Sequence, residues 1–195
     1  MNSAHNPSSR EFFEQMYTHD IDPWNFASDP YESSRYDAIV HCLSGKRFAR
    51  AFEPGCSVGV LTARLALFCD HLLATDLSET AVARAMQRCA AYTNVHFLTA
   101  SVADIDPGAL DLLVLSEIGY YFNTLDLTRW AGRLLSRVRL GGTILTCHWR
   151  GVSSDHLLSG DQVQEVFQHL AADRSYVLTA ARCTENYKLQ SWTSE

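Results

Sequence analysis

Two carboxylates, Glu53 and Asp76, stand at the ends of two apolar runs, "RAFEP" and "HLLATDL", and the first is followed by a pair of glycines, Gly55 and Gly59. Gly55 allows a sharp bend because it carries no Cβ. Gly59 allows a backbone or a ligand to approach the start of the next helix. That helix start offers unpaired N–H groups and about half a unit of positive character. Such a loop suits a phosphate, but two details argue against one. The G-x-x-x-G spacing satisfies neither the dinucleotide fingerprint nor the P-loop pattern. Glu53 would also repel a pyrophosphate, whereas it would accept hydrogen bonds from an amine cation. Asp76, closing the second apolar run, can take both hydroxyls of a ribose. Its other reading is a local cap for the helix that starts near Ser78. The ligand these residues ask for carries a ribose and a cationic tail and no phosphate, which describes S-adenosylmethionine.

The elements that must position these residues alternate in type. "SREFFEQMY" spaces Phe12, Phe13 and Met16 along one helical face, and "DPWNFASDPYE" is an aromatic loop able to cover something. "SSRYDAIVHCL" reads as a helix capped by Ser33 or Ser34 and ended near Gly45. Strand and helix patterns then follow as "RAFEP", "GVLTARLALFC", "HLLATDL", "SETAVARAMQRCAAY", "VHFLTAS", "LDLLVLSE", "DLTRWAGRLLSRV" and "GTILTCHW". Ser78 is the expected N-cap of the fourth of these. This alternation predicts a doubly wound α/β domain with a mostly parallel, seven-stranded sheet. After the helix "SGDQVQEVFQHL", the runs "YVLTAAR" and "YKLQSWT" are separated only by "CTEN", which fits an antiparallel hairpin. Residues 1–45 read as an N-terminal helical lid and 46–195 as the ligand-binding domain. Residues 1–10 are the loose segment.

Composition removes several function classes. The 195 residues are 47% hydrophobic and 19% charged, with a net charge of -6 and no clustered basic face of the kind nucleic acid requires. No apolar run approaches the about 20 residues that span a bilayer, and the start lacks the apolar core of a secretory signal, so a cytoplasmic protein is expected. The six scattered cysteines form no C-x-x-C pair, and neither a metal site nor a disulfide framework is expected.

"FEPGCSVG", "ATDLSETAVARA" and "DLLVLSEIGYYF" resemble motifs of class I S-adenosylmethionine-dependent methyltransferases. With "DPW" and "YE" in the N-terminal loop and "SEIGYY" after the fourth strand, the nearer resemblance is to the NodS type, small N-methyltransferases of rhizobial nodulation-factor synthesis. The resemblance implies that Glu53, Gly55 and the backbone around Cys56 and Ser57 hold the methionine moiety, with Gly59 at the helix start. It places Asp76 and Leu77 on ribose and adenine, and Ser101 with Val102 at an adenine position usually held by an acidic residue, with Asp104 three residues on. Ser116 would lie beside the sulfonium, with Glu117 just behind it. Trp24, Tyr31 and Arg35 would form a lid, Arg35 pairing with the cofactor carboxylate. Glu117, Tyr120, Tyr121 and His148 are the candidates for proton acceptance or acceptor anchoring, with one of the two tyrosines facing the core and His148 alternatively a rim or packing residue. Gly119, where relatives carry a larger apolar residue, is expected to widen the acceptor side, and Val58 to serve packing only.

The implied acceptor is a small molecule, an amino sugar or chitooligosaccharide methylated on nitrogen. O-methylation of a sugar or another small metabolite, a nicotinamide-dependent oxidoreductase, and a non-catalytic partner-binding relative are the alternatives. Glu53, the missing G-x-G-x-x-G and the lack of a second domain weigh against the oxidoreductase.

Overall fold

A computed structural model describes residues 9–195. Of the segment expected to be loose, residues 1–8 lie outside the described residues, while Ser9 and Arg10 cap and open the first helix. The chain runs α1 (Arg10–His19), α2 (Pro30–Leu43), β1 (Phe48–Pro54), α3 (Val60–Leu65), β2 (Cys69–Asp76), α4 (Glu79–Arg88), β3 (Val95–Thr99), β4 (Leu110–Ser116), α5 (Thr124–Leu135), β5 (Val138–Trp149), α6 (Gly160–Ala172), β6 (Tyr176–Cys183) and β7 (Tyr187–Ser194). The seven strands lie in the order β3-β2-β1-β4-β5-β7-β6. The first five are parallel, and β7 is antiparallel to both β5 and β6. The expected hairpin is present, with its second strand inserted next to β5 rather than at the sheet edge.

Local chemistry sets the helix ends. Ser78 caps α4 by accepting the Ala81 N–H, as expected. The cap of α2 is Asp29 instead of Ser33 or Ser34, because Pro30 fits the first helical position, where no N–H is needed and φ is already helical. The helix expected over "GVLTARLALFC" is cut short. It ends at Leu65, turns through a 3-10 segment at Ala66–Phe68 and enters β2 at Cys69. The Asn94 side-chain amide donates to the carbonyls of Ala66 (2.9 Å) and Cys69 (2.8 Å), satisfying the acceptors this abrupt change of structure leaves behind.

The central strands are nearly continuous apolar runs, as a sheet covered on both faces requires. One core, built around Leu113, Trp130, Leu134 and Phe167, lies under α5 and α6. The other, around Ile39, Leu43, Leu65 and Leu112, lies under α2 and α3. Strand order reverses between β1 and β4, so the crevice where ligands bind in open α/β sheets opens beyond the carboxyl ends of those two strands. Ser57 (φ 50°) and Glu117 (φ 60°) hold left-handed backbone conformations just after these strands, a strained arrangement that clusters at functional sites.

Candidate functional site

At that crevice is a cavity of about 420 Å³, lined from one side by Gly55, Ser57, Asp76, Leu77, Ser101 and Val102 and from the other by Glu117, Ile118, Tyr120, Tyr121, Trp149 and His156. A small side pocket opens from it between Arg35, Glu53, Cys56, Ser116 and Glu117. Trp24 and Tyr31 line the main cavity.

The loop after β1 uses its own donors. Gly55 and Cys56 both donate their N–H to the Thr75 carbonyl (2.7 and 2.9 Å), Ser57 donates to Asp76 Oδ2 (2.9 Å), and Gly59 donates to the Cys56 carbonyl (2.9 Å). These four N–H groups are thus engaged within the protein. Gly55 sits at φ +74°, and a Cβ there would come 2.2 Å from Ile118 Cγ2, so the two sides of the cavity meet at this residue. Gly59 serves packing instead of a ligand. Its added Cβ would fall 2.9 Å from Ala85 Cα, and the residue lines neither cavity nor side pocket. Val58 is buried with Tyr17 and Ala81.

Glu53 is 3% exposed, and its Oε2 has no hydrogen-bond partner. Burial pushes its carboxyl up to about 8, with Thr62 opposing and the Asp76 charge adding. A buried acceptor with nothing to accept from is costly unless a donor arrives. Asp76 accepts the N–H groups of Ser57 and Ser78, so the local-cap reading holds in part. Each oxygen keeps a second lone pair, and the residue lines the cavity. Burial lifts its carboxyl to about 6 against those two N–H groups. Asp104, in contrast, is exposed and away from the cavity.

Arg35 is 1% exposed, and its guanidinium is already committed. It donates to Glu32 and to Ser116 Oγ (2.6 Å) and lies 3.8 Å from Glu117 Oε1. It is therefore a buried strut beneath the site and not a lid residue reaching for a carboxylate. Glu117 Oε1 accepts the Trp149 N–H (2.7 Å), and Oε2 accepts the Tyr120 hydroxyl (2.8 Å). Both Tyr120 and Tyr121 line the cavity, although one was expected to face the core. Burial and the Glu117 charge hold the Tyr120 hydroxyl protonated.

His148 is a structural residue. It is fully buried and away from the cavity, its Nε2 accepts the Gly119 N–H (3.2 Å), and burial depresses its imidazole to about 3, with Arg35 and His156 adding to the effect. Gly119 does not widen the acceptor side either. The space its side chain would take is filled by Val163 Cγ1 (2.4 Å) and His148 Nε2 (3.1 Å).

Sequence reasoning missed several cavity residues, among them Phe13, Tyr17, Trp149 and His156. Phe13 and Tyr17 on α1 pack against Trp24 (6.3 and 5.4 Å between ring centroids), and Phe13 also meets Tyr121 (4.9 Å), forming an aromatic cover. The cover is fastened where Tyr17 donates to Ser57 Oγ (2.7 Å) and Glu14 accepts from Ser78 Oγ (2.6 Å) and from Thr80. The apolar face of "SREFFEQMY" was the available signal for Phe13. Trp149 ends β5 and His156 lies in the loop after it, a polar stretch that carried no signal.

The chain matches the family model of nodulation protein S (NodS) over residues 8–150. Nodulation protein S of Azorhizobium caulinodans is 29% identical over 153 residues, spanning 75% of this chain and 73% of that protein. Nodulation protein S of Sinorhizobium fredii is 30% identical over 112 residues, spanning 56% of this chain and 52% of that one. In fold, the chain is similar to N-methyltransferase NodS from Bradyrhizobium japonicum WM9, solved with S-adenosyl-L-homocysteine, at TM-score 0.84 and 19% identity, covering 97% of this chain and 99% of that one. It is also similar to magnesium protoporphyrin IX methyltransferase from Synechocystis PCC 6803 with bound S-adenosylmethionine, at TM-score 0.75 and 15% identity, with both chains fully covered. The architecture is thus the Rossmann-like class I methyltransferase fold, and with most of its length matched by the family model, the chain belongs to the NodS family.

Proposed function

We propose that this protein is an S-adenosylmethionine-dependent N-methyltransferase that acts on the free amine of a small amino sugar or chitooligosaccharide. The observation that carries this reading is the charge of the cavity. Asp29, Glu32, Asp76 and Glu117 line it, and the guanidinium of Arg35, held by Glu32 and Ser116, offsets only part of their charge. Walls of this sign favour an amine cation on both reactants. The NodS relatives and the fold neighbours crystallised with the cofactor or its demethylated product support the same class of reaction.

The residues present fit the cofactor. Glu53 Oε2 lacks a partner and would take the ammonium of the methionine end, and Gly55 lines the main cavity and the side pocket next to it. The free lone pairs of Asp76 suit ribose hydroxyls, and Leu77, Ser101 and Val102 would flank the adenine. When bound, S-adenosylmethionine supplies a methyl group already activated on a sulfonium. The protein's own task is alignment, exclusion of water and removal of a proton from the acceptor. The aromatic cover of Phe13, Tyr17 and Trp24 excludes water. Glu117, held by the Trp149 N–H and Tyr120, presents a fixed negative charge to the acceptor amine.

The test is transfer of labelled methyl from S-adenosylmethionine to glucosamine and to N-acetylglucosamine. Label on the free amine of glucosamine alone is expected. Label on a hydroxyl of either sugar would overturn the choice of nitrogen, and calorimetry showing no S-adenosylhomocysteine binding would overturn the reading altogether.

A further inference from the structure

Methylation of an ammonium acceptor requires a group that accepts a proton, and most titratable groups lining the cavity are poor choices. Glu117 has both oxygens filled by donors and Arg35 beside it. Glu32 is paired with Arg35, and Asp76 holds two backbone N–H groups. Asp29 caps α2 through the Tyr31 N–H. Burial keeps the hydroxyls of Tyr17, Tyr31, Tyr120 and Tyr121 protonated. His156 remains. Its ring lies flat on Tyr120, with centroids 3.7 Å apart and planes 17° apart, and edge-on to Tyr121 (5.2 Å) and Trp149 (6.1 Å). Its Nδ1 is buried without a partner, which leaves Nε2 as the nitrogen available to the cavity.

Resting on the amine-methylation reading above, we infer that His156 takes the proton from the acceptor nitrogen. The acceptor N–H bond breaks, its electron pair stays on nitrogen for the incoming methyl, and the proton goes to Nε2 to give an imidazolium. That cation lies on the face of Tyr120, where the ring quadrupole favours it. The charged and titratable groups around it are Glu117 at the end of β4, Tyr120 and Tyr121 from the following turn, Asp155 beside it and His148 behind on β5. The two carboxylates stabilise the imidazolium, while desolvation keeps the resting imidazole neutral by lowering its pKa. The backbone gives the ring a fixed position. Leu157 and Leu158 both donate to the Tyr120 carbonyl (2.7 and 3.2 Å), and Arg150 anchors the start of the loop on Asp161 and on the Thr184 carbonyl.

His156→Phe separates chemistry from packing, because phenylalanine keeps a flat ring on Tyr120 and has no nitrogen. With S-adenosylmethionine and glucosamine as probes, turnover at neutral pH should fall about 100-fold, and the acidic limb of the kcat/KM profile should disappear. His156→Gln, polar but not basic, should fall as far, and both variants should bind S-adenosylhomocysteine as wild type does. Turnover within about threefold of wild type with an unchanged pH profile would overturn the assignment, as would a tenfold loss of S-adenosylhomocysteine affinity in both variants. Wild-type protein that binds S-adenosylhomocysteine yet methylates no glucosamine nitrogen would overturn the amine reading and this assignment with it.

Discussion

The two sides of the cavity are built in different ways. On the cofactor side, Glu53, Gly55, Asp76 and Ser101 all lie at or within two residues of the carboxyl ends of β1, β2 and β3. Their partners are mostly backbone groups of the adjoining strand or helix start. On the acceptor side, Glu117, Tyr120, Trp149 and His156 come from three segments that meet only after β4, β5 and α6 have packed. One side is thus set by the turn from strand to helix, and the other by tertiary contact. The first should bind cofactor whatever the acceptor. The second should govern turnover.

Glu117→Gln should have the largest effect. It removes the fixed negative charge facing the acceptor and should lower turnover about 1000-fold, read by labelled methyl transfer to glucosamine. Asp76→Ala probes the other side. Losing the carboxylate should weaken S-adenosylhomocysteine binding about 100-fold, or about 2.7 kcal/mol by calorimetry. If Asp76→Ala binds as wild type does, the cofactor side is misassigned.

Gly119→Ala addresses the seam behind the acceptor side, where a Cβ would meet Val163 Cγ1 at 2.4 Å. It should cost about 2 kcal/mol in a denaturant melt, and adding Val163→Ala should restore most of that loss. The smallest effect is the pH dependence set by Glu53. Its carboxyl is raised to about 8 in the folded chain, so the stability tied to its proton is complete below the ordinary carboxylate range. That stability is lost as pH rises through 8. In the absence of cofactor, Glu53→Gln should therefore be more stable than wild type above pH 8, with the difference closing near pH 4. A difference independent of pH would mean that Glu53 is charged without its ligand.

The same contrast explains what was legible in the sequence. Glu53, Asp76 and the Ser78 cap could be placed because strand, loop and helix start are neighbours in the chain, so residue type and spacing carry the geometry. The misplaced cap of α2 belongs to that legible class, since Asp29-Pro30 is itself a helix-start signal. His148, which the sequence left open between the site and packing, and Gly119, which was misjudged, show the opposite case. Whether a histidine faces a cavity or a glycine N–H, and whether the space at a glycine stays open or holds Val163, depends on α6 docking against β5. Glu32, three residues before Arg35 on the same helix, is a partner the sequence could have offered, but Ser116 and Glu117, which complete the environment of the guanidinium, come from the end of β4. His156 sits in a polar loop whose local pattern is that of any surface turn.

The central claim is that the two sides of one cavity divide the labour, and the affinity of Glu117→Gln for S-adenosylhomocysteine tests it most directly. Calorimetry should give a dissociation constant within a factor of about three of wild type in a protein whose turnover has collapsed. A loss of cofactor affinity as deep as that expected for Asp76→Ala would contradict the division.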